Sequence, residues 1–165
     1  MDAPEHADAS SSPNVSSSIR AEKTALRLIA RAEQCTNGLT RKLEKRGFDS
    51  IVVNEVILKL TDLNLLDDSR FARLWLESRM RLPRSPRRLL AALCARGIDR
   101  DNAQTALDTL LDDEKEFALL TRFAKKYSRK IKSAQKTNNQ THQLKFFLKS
   151  EGFSTAAIRR LMGDE

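Results

Sequence analysis

Aromatic residues are scarce in this chain, with seven Phe, one Tyr and one Trp among 165 residues, and so are the chain breakers, with five Gly and four Pro. Leu, Ala, Arg, Lys and Glu dominate instead, and these are strong helix formers. An all-α protein is expected. The two cysteines, Cys35 and Cys94, lie far apart with no CxxC context, and are read as partly buried free thiols. No run of apolar residues approaches the length of a membrane-spanning helix, so no membrane partner is expected. The N-terminal segment carries early acids and no apolar core, unlike a signal peptide, and a cytoplasmic location is expected. His6 and His142 belong to no metal-ligand pattern, and neither a phosphate-cradling glycine loop nor a GxSxG elbow is present. The paired acids Asp67-Asp68 and Asp112-Asp113 stand at expected helix starts, where they serve as caps rather than as general acids and bases. No enzyme, cofactor or metal is expected.

One further absence is informative. Residues 117–150 contain nine Lys/Arg and no Asp or Glu, so this one stretch supplies the whole excess behind the formal net charge of +8. Such an asymmetry points to a polyanion or an acidic protein groove as partner.

Residues 1–18 are rich in Ser, Asp and Ala and nearly free of large apolar residues, too little to offset the entropy of ordering, so a disordered tail is expected. Helical patterning begins near Ile19, and Leu26, Ile29, Ala30 and Glu33 trace the expected inner face of the first helix. Thr36, Asn37 and Gly38 form a turn and cap cluster before a second helix over 39–45. Asp49 caps a third helix reaching Leu65, with a stripe of Val52, Val53, Val56, Ile57, Leu60 and Leu63. Asp67 or Asp68 caps a fourth, whose inner face is expected to be Phe71, Leu74, Trp75 and Ser78. Ser85-Pro86 opens a fifth, Asp99 caps a sixth, and a seventh begins near Asp113. Residues 132–140 form an exposed loop, Thr141 caps an eighth helix and Ser154 a ninth.

Self-similarity is the strongest signal. With Gly47, Gly97 and Gly152 aligned, Leu39, Leu89 and Leu144 stand eight residues before the glycines, and Leu43, Leu93 and Leu148 stand four before. Phe48, Ile98 and Phe153 follow one residue after, and the caps Asp49, Asp99 and Ser154 two after. The leucines set one helix face into a core, the glycine reverses the chain, the next apolar residue packs back, and the cap starts a new helix. The glycine intervals of 50 and 55 residues leave room for three short helices per unit. The expected architecture is three tandem three-helix repeats in an elongated, curved array, with repeat boundaries at 19–66, 67–112 and 113–165.

Several segments resemble the RecX family. They are residues 25–31 (ALRLIAR), 39–48 (LTRKLEKRGF), 65–72 (LLDDSRFA), Ser85 to Leu90 with Leu93 and Arg96-Gly97-Ile98, and Phe146-Phe147-Leu148 with Gly152-Phe153. The likeness extends over about residues 20–163 in the family's order and spacing. The chain departs from the pattern at Leu66, where the family often has Tyr, at Ser85, a common Gly, and at Glu151, a common Arg. The connection at 132–140 is unusually polar. The resemblance implies a regulator that binds the RecA nucleoprotein filament in its groove. Such a protein limits filament extension or promotes disassembly, and so lowers RecA's ATPase, strand-exchange and coprotease activities in homologous recombination, DNA repair and the SOS response. It also implies direct binding of single- and double-stranded DNA. A monomer is expected.

The residues expected to carry such contacts form basic clusters. Arg79, Arg81, Arg84, Arg87 and Arg88 flank the Pro83–Pro86 turn, where guanidinium forks suit phosphates or carboxylates. Lys125, Lys126, Arg129, Lys130 and Lys132 form a second cluster, and Lys145 and Lys149, four apart, share a helix face. The bland alternative is a solvated, helix-favouring surface. Trp75 and Tyr127 are candidates for stacking on bases, though their spacing fits core packing better. Two competing readings are a DNA-binding protein acting without RecA through helix-turn-helix-like units, and a generic helical scaffold.

Overall fold

The computed structural model describes residues 13–127 and 138–163, and these contain nine α-helices and no strand. In chain order they are α1 (Pro13–Arg31), α2 (Thr36–Glu44), α3 (Ser50–Asp62), α4 (Asp68–Arg79), α5 (Pro86–Cys94), α6 (Arg100–Leu110), α7 (Asp113–Lys126), α8 (Asn138–Ser150) and α9 (Thr155–Met162). The expected all-helical repeat class is what the chain adopts. The chain divides into two compact units between Asp67 and Asp68.

The repeated glycines explain how each set of three helices turns. Gly47, Gly97 and Gly152 have φ of 83°, 88° and 91°, a left-handed conformation that a side chain resists. Their amides donate to Glu44, Cys94 and Lys149 carbonyls at 2.8–2.9 Å, and the next amides, of Phe48, Ile98 and Phe153, reach back to Leu43, Leu93 and Leu148 at 3.2–3.4 Å. This is the paired helix-ending arrangement in which the residue after the glycine packs on the leucine four before it. It accounts for the Leu-x-x-x-Gly-apolar pattern. Two residues beyond each glycine the side chains of Asp49, Asp99 and Ser154 accept from the first amides of α3, α6 and α9, satisfying donors that a helix start leaves open.

In the first unit, Ala21 and Ala25 of α1, Leu39 and Leu43 of α2, and Val52, Val53, Val56, Ile57 and Leu60 of α3 form one buried core with Leu66. Lys59 and Glu22 join α3 to α1 at 2.7 Å. Several expectations shift here. Helix α1 starts at Pro13, so residues 13–18 are helical rather than a disordered tail. Once the docked stretch around Ala21 and Ala25 is formed, each further residue adds a hydrogen bond at little cost. Residues 1–12 lie outside the described set. The inner face of α1 is Ala21, Ala25, Leu28 and Ile29, while Leu26 and Ala30 are exposed. Thr36, Asn37 and Gly38 open α2 instead of preceding it, and Cys35 holds the cap position without a side-chain hydrogen bond. Helix α3 stops at Asp62 rather than Leu65, because Asn64 takes φ of 54°, and Leu63 is left exposed.

In the second unit α4 packs on α6 and α5, and α9 on α7 and α8. Helix α4 buries Ala72 and Leu76, with Met80 just beyond, and leaves Leu74 and Ser78 exposed. The inner face is therefore rotated from the expected one. Its partner α6 presents Ala103, Ala106 and Leu107, and small residues at such a contact let the helix axes approach. Phe71 and Trp75 flank that contact half-buried. Helix α7 buries Leu119, Leu120 and Phe123, and Phe123 meets the rings of Phe147 and Phe153 at 6.3 and 5.3 Å between centroids. Helix α8 begins at Asn138, three residues before the expected cap Thr141.

Candidate binding surface

Four devices fix the geometry around the α4–α5 turn. Ser85 is fully buried, caps α5 by accepting from the Arg88 amide at 3.3 Å, and donates its hydroxyl proton to the Glu151 carboxylate. The Arg87 amide donates to the Glu151 carbonyl at 3.0 Å. Arg88 adds an ion pair to Glu151 at 3.4 Å. Arg122 of α7 donates to the Met80 carbonyl at the end of α4 at 2.9 Å. Together they clamp the turn to the third set of helices. Ser85 and Glu151, two of the positions where the chain departs from the family pattern, are thus partners of each other.

The clamp brings two of the expected basic clusters onto one surface. Arg88 donates to the Tyr127 hydroxyl at 2.8 Å and lies 5.6 Å from the ring centroid, and Lys126 lies 5.8 Å from the same ring. Tyr127 is held from below by Phe123, with centroids 4.5 Å apart. A shallow groove of about 290 Å3 runs between Pro83 on the turn and Arg122, Lys125 and Lys126 on α7. Arg81 and Arg87 are exposed beside it in sequence, and Arg84 is half-buried. The ends of α7 carry opposite charge. Asp113, Glu114 and Glu116 lie in the first turn, and Lys125 and Lys126 in the last, which suits the helix dipole and leaves cations at the groove. At the acidic end Asp112 caps α7, and its hydrogen bonds with the Lys115 side chain and amide hold its carboxyl below the usual value.

Arg79 stands apart from the exposed cations. Its guanidinium lies 5.7 Å from the Trp75 centroid, with Arg96 at 4.6 Å, and its buried Nε has no hydrogen-bond partner among the described residues. Trp75 is therefore covered by cations, which fits packing better than base stacking. Lys145 and Lys149 line a different groove with His142, Phe146 and Arg159. Arg129, Lys130 and Lys132 lie outside the described residues. Sequence reasoning missed Arg122 and Arg159. Arg122 carries a readable signal, for it lies in the acid-free stretch four residues before Lys126.

The exposed side chains of Arg81, Arg87, Arg88, Lys125 and Lys126 make this surface positively charged. Among the described residues no group of His, Cys, Asp and Glu is placed to bind a metal, and no helix is long and apolar enough to cross a membrane.

Comparison with known proteins agrees with this architecture. Residues 67–107 match the family model described as RecX, second three-helix domain. The regulatory protein RecX of Treponema pallidum (strain Nichols) is 37% identical over 146 residues, spanning 88% of this chain and 85% of the relative. A crystal structure of RecX from Lactobacillus salivarius superposes with a TM-score of 0.69 at 23% identity, covering 91% of this chain and 97% of the other. A second crystal structure, of regulatory protein RecX, gives 0.78 at 18% identity, covering 100% and 81%. With the repeated helix-glycine turns in place and a relative this similar over most of both chains, the chain belongs to the RecX family of regulatory proteins.

Proposed function

We propose that this chain binds the RecA nucleoprotein filament and inhibits its extension, lowering ATP hydrolysis, strand exchange and coprotease activity and so modulating recombination and DNA repair. The observation that carries this reading, beside family membership, is the convergence of Arg88, Lys125 and Lys126 about Tyr127 and the Pro83 groove. Arg88 is anchored by its hydrogen bond to Tyr127 and its ion pair with Glu151, so it loses fewer rotamers when it meets phosphates or carboxylates. A filament of recombinase on DNA offers both kinds of anion. Action in the cytoplasm, as a monomer and without a catalytic step, goes with this role.

The alternative is a DNA binder that acts without RecA, and the same cations would serve it. RecA's DNA-dependent ATP hydrolysis, titrated with this protein at fixed single-stranded DNA, separates the two. Inhibition at amounts well below the DNA sites present is expected. Inhibition only once the DNA is coated would favour the alternative. No inhibition at any amount would overturn filament regulation.

A further inference from the structure

Helix α8 turns Leu144 and Leu148 into the core, and Phe147 meets Phe123 there. Phe146 lies two residues from each leucine, on the far side of the helix. It is 76% exposed, the most exposed large apolar side chain among the described residues. It lines an open groove of about 350 Å3 between α8 and α9, with Ile158, which is itself buried. His142, Lys145, Lys149 and Arg159 line the same groove. Neither α8 nor α9 contains an Asp or Glu.

We propose that this groove is a single-stranded nucleic-acid subsite, in which Phe146 stacks on an unpaired base while Lys149 and Arg159, with Lys145, hold the flanking phosphates. The inference builds on the polyanion-binding part of the function proposed above and assigns a distinct place to it. An exposed aromatic ring beside cations is the arrangement that binds single strands without reading their sequence, because every base has a π-face and a backbone charge nearby. A duplex hides those faces in its stack and offers only groove edges and phosphates, so the ring confers a preference for the single strand. Charge complementarity excludes a basic partner, and the exposed aliphatic residues elsewhere have no ring to stack on a base. The two most exposed of them, Ile51 and Leu58 of α3, lie around Glu55.

The test is anisotropy of a labelled oligothymidylate and of a labelled duplex of the same length, titrated with the full chain in the absence of RecA. Phe146→Ala and Phe146→Leu are expected to weaken single-strand binding about tenfold, the loss of one stacked base, with duplex binding little changed and Phe146→Tyr near the parent. Circular dichroism and the melting temperature verify that the variants fold, as expected for so exposed a side chain. Equal single-strand affinity for Phe146→Ala and the parent would overturn the subsite. So would Leu serving as well as Phe, or an equal loss on the duplex. RecA ATP hydrolysis, measured in parallel, keeps the two proposals apart. Loss of inhibition by Phe146→Ala with single-strand affinity intact would place a recombinase contact in the groove and overturn the subsite. A parent chain that binds single strands through Phe146 yet leaves RecA untouched would overturn only the filament reading.

Discussion

Ser85 and Glu151 show how much one pair of side chains decides. A buried carboxylate is tolerated only when it is paired and hydrogen-bonded, and Glu151 has the Ser85 hydroxyl and the Arg88 guanidinium for this. The same hydroxyl caps α5. Ser85→Ala therefore removes a cap and leaves a buried acceptor short of a donor, and is expected to lower unfolding free energy by about 1–3 kcal/mol in urea denaturation. Combined with Glu151→Ala it is expected to show a coupling energy on the order of 1 kcal/mol. Additive effects of the two substitutions would mean that the pair contributes little. Nothing in the local sequence pairs these positions, which are 66 residues apart. Ser85 is legible in the sequence as a cap, but what links it to Glu151 there is only that both depart from the family pattern.

The helix-glycine turn is the element that repeats, and its first and third copies differ in surroundings. A side chain at Gly47 meets nothing within 4 Å, whereas at Gly152 a Cβ atom lies 3.2 Å from the Arg87 amide nitrogen and 3.3 Å from Pro86 Cβ. Gly47→Ala is expected to cost about 1 kcal/mol, from the left-handed backbone alone. Gly152→Ala adds overpacking against backbone and is expected to cost at least about 1 kcal/mol more. Melting temperatures of the two variants check the order, and equal losses would show that the Gly152 turn shifts freely. Helix α7 gives a pH test. Asp112 has its carboxyl held below the ordinary value of 3.8 by Lys115. Its stabilising effect is therefore fully present above that value and is lost as pH falls through the lowered one. Asp112→Asn keeps an acceptor but does not titrate, so the stability gap between parent and variant is expected to close on acidification below about pH 4. A gap independent of pH would remove the Lys115 interaction from the account. The caps Asp49, Ser85, Asp99 and Ser154 were legible in the sequence because a cap acts over two or three residues. The face of α4 was not, because Phe71 and Trp75 look like core residues until α6 takes Ala72 and Leu76 instead.

For the whole molecule the net charge of +8 matters less than where the cations are held. If the α7 end of the groove meets nucleic-acid phosphates, replacing both Lys125 and Lys126 by Ala is expected to lower the slope of log affinity against log salt by about one per lysine. An unchanged slope with reduced RecA inhibition would assign these lysines to the protein side of the filament. The sequence alone established the helical class and the threefold turn, since leucine spacing, glycine and cap act within about a dozen residues. It also located the acid-free stretch. Only the tertiary structure decided which cations share a surface. Arg88 and Tyr127 meet across 39 positions of sequence, through a clamp whose long-range pairings have no local signature. Burial also sorted the arginines, setting Arg79 against Trp75 while Arg81 and Arg87 face solvent. A charge's partner is set by where long-range packing puts it, and that is a property of the fold rather than of the neighbouring residues.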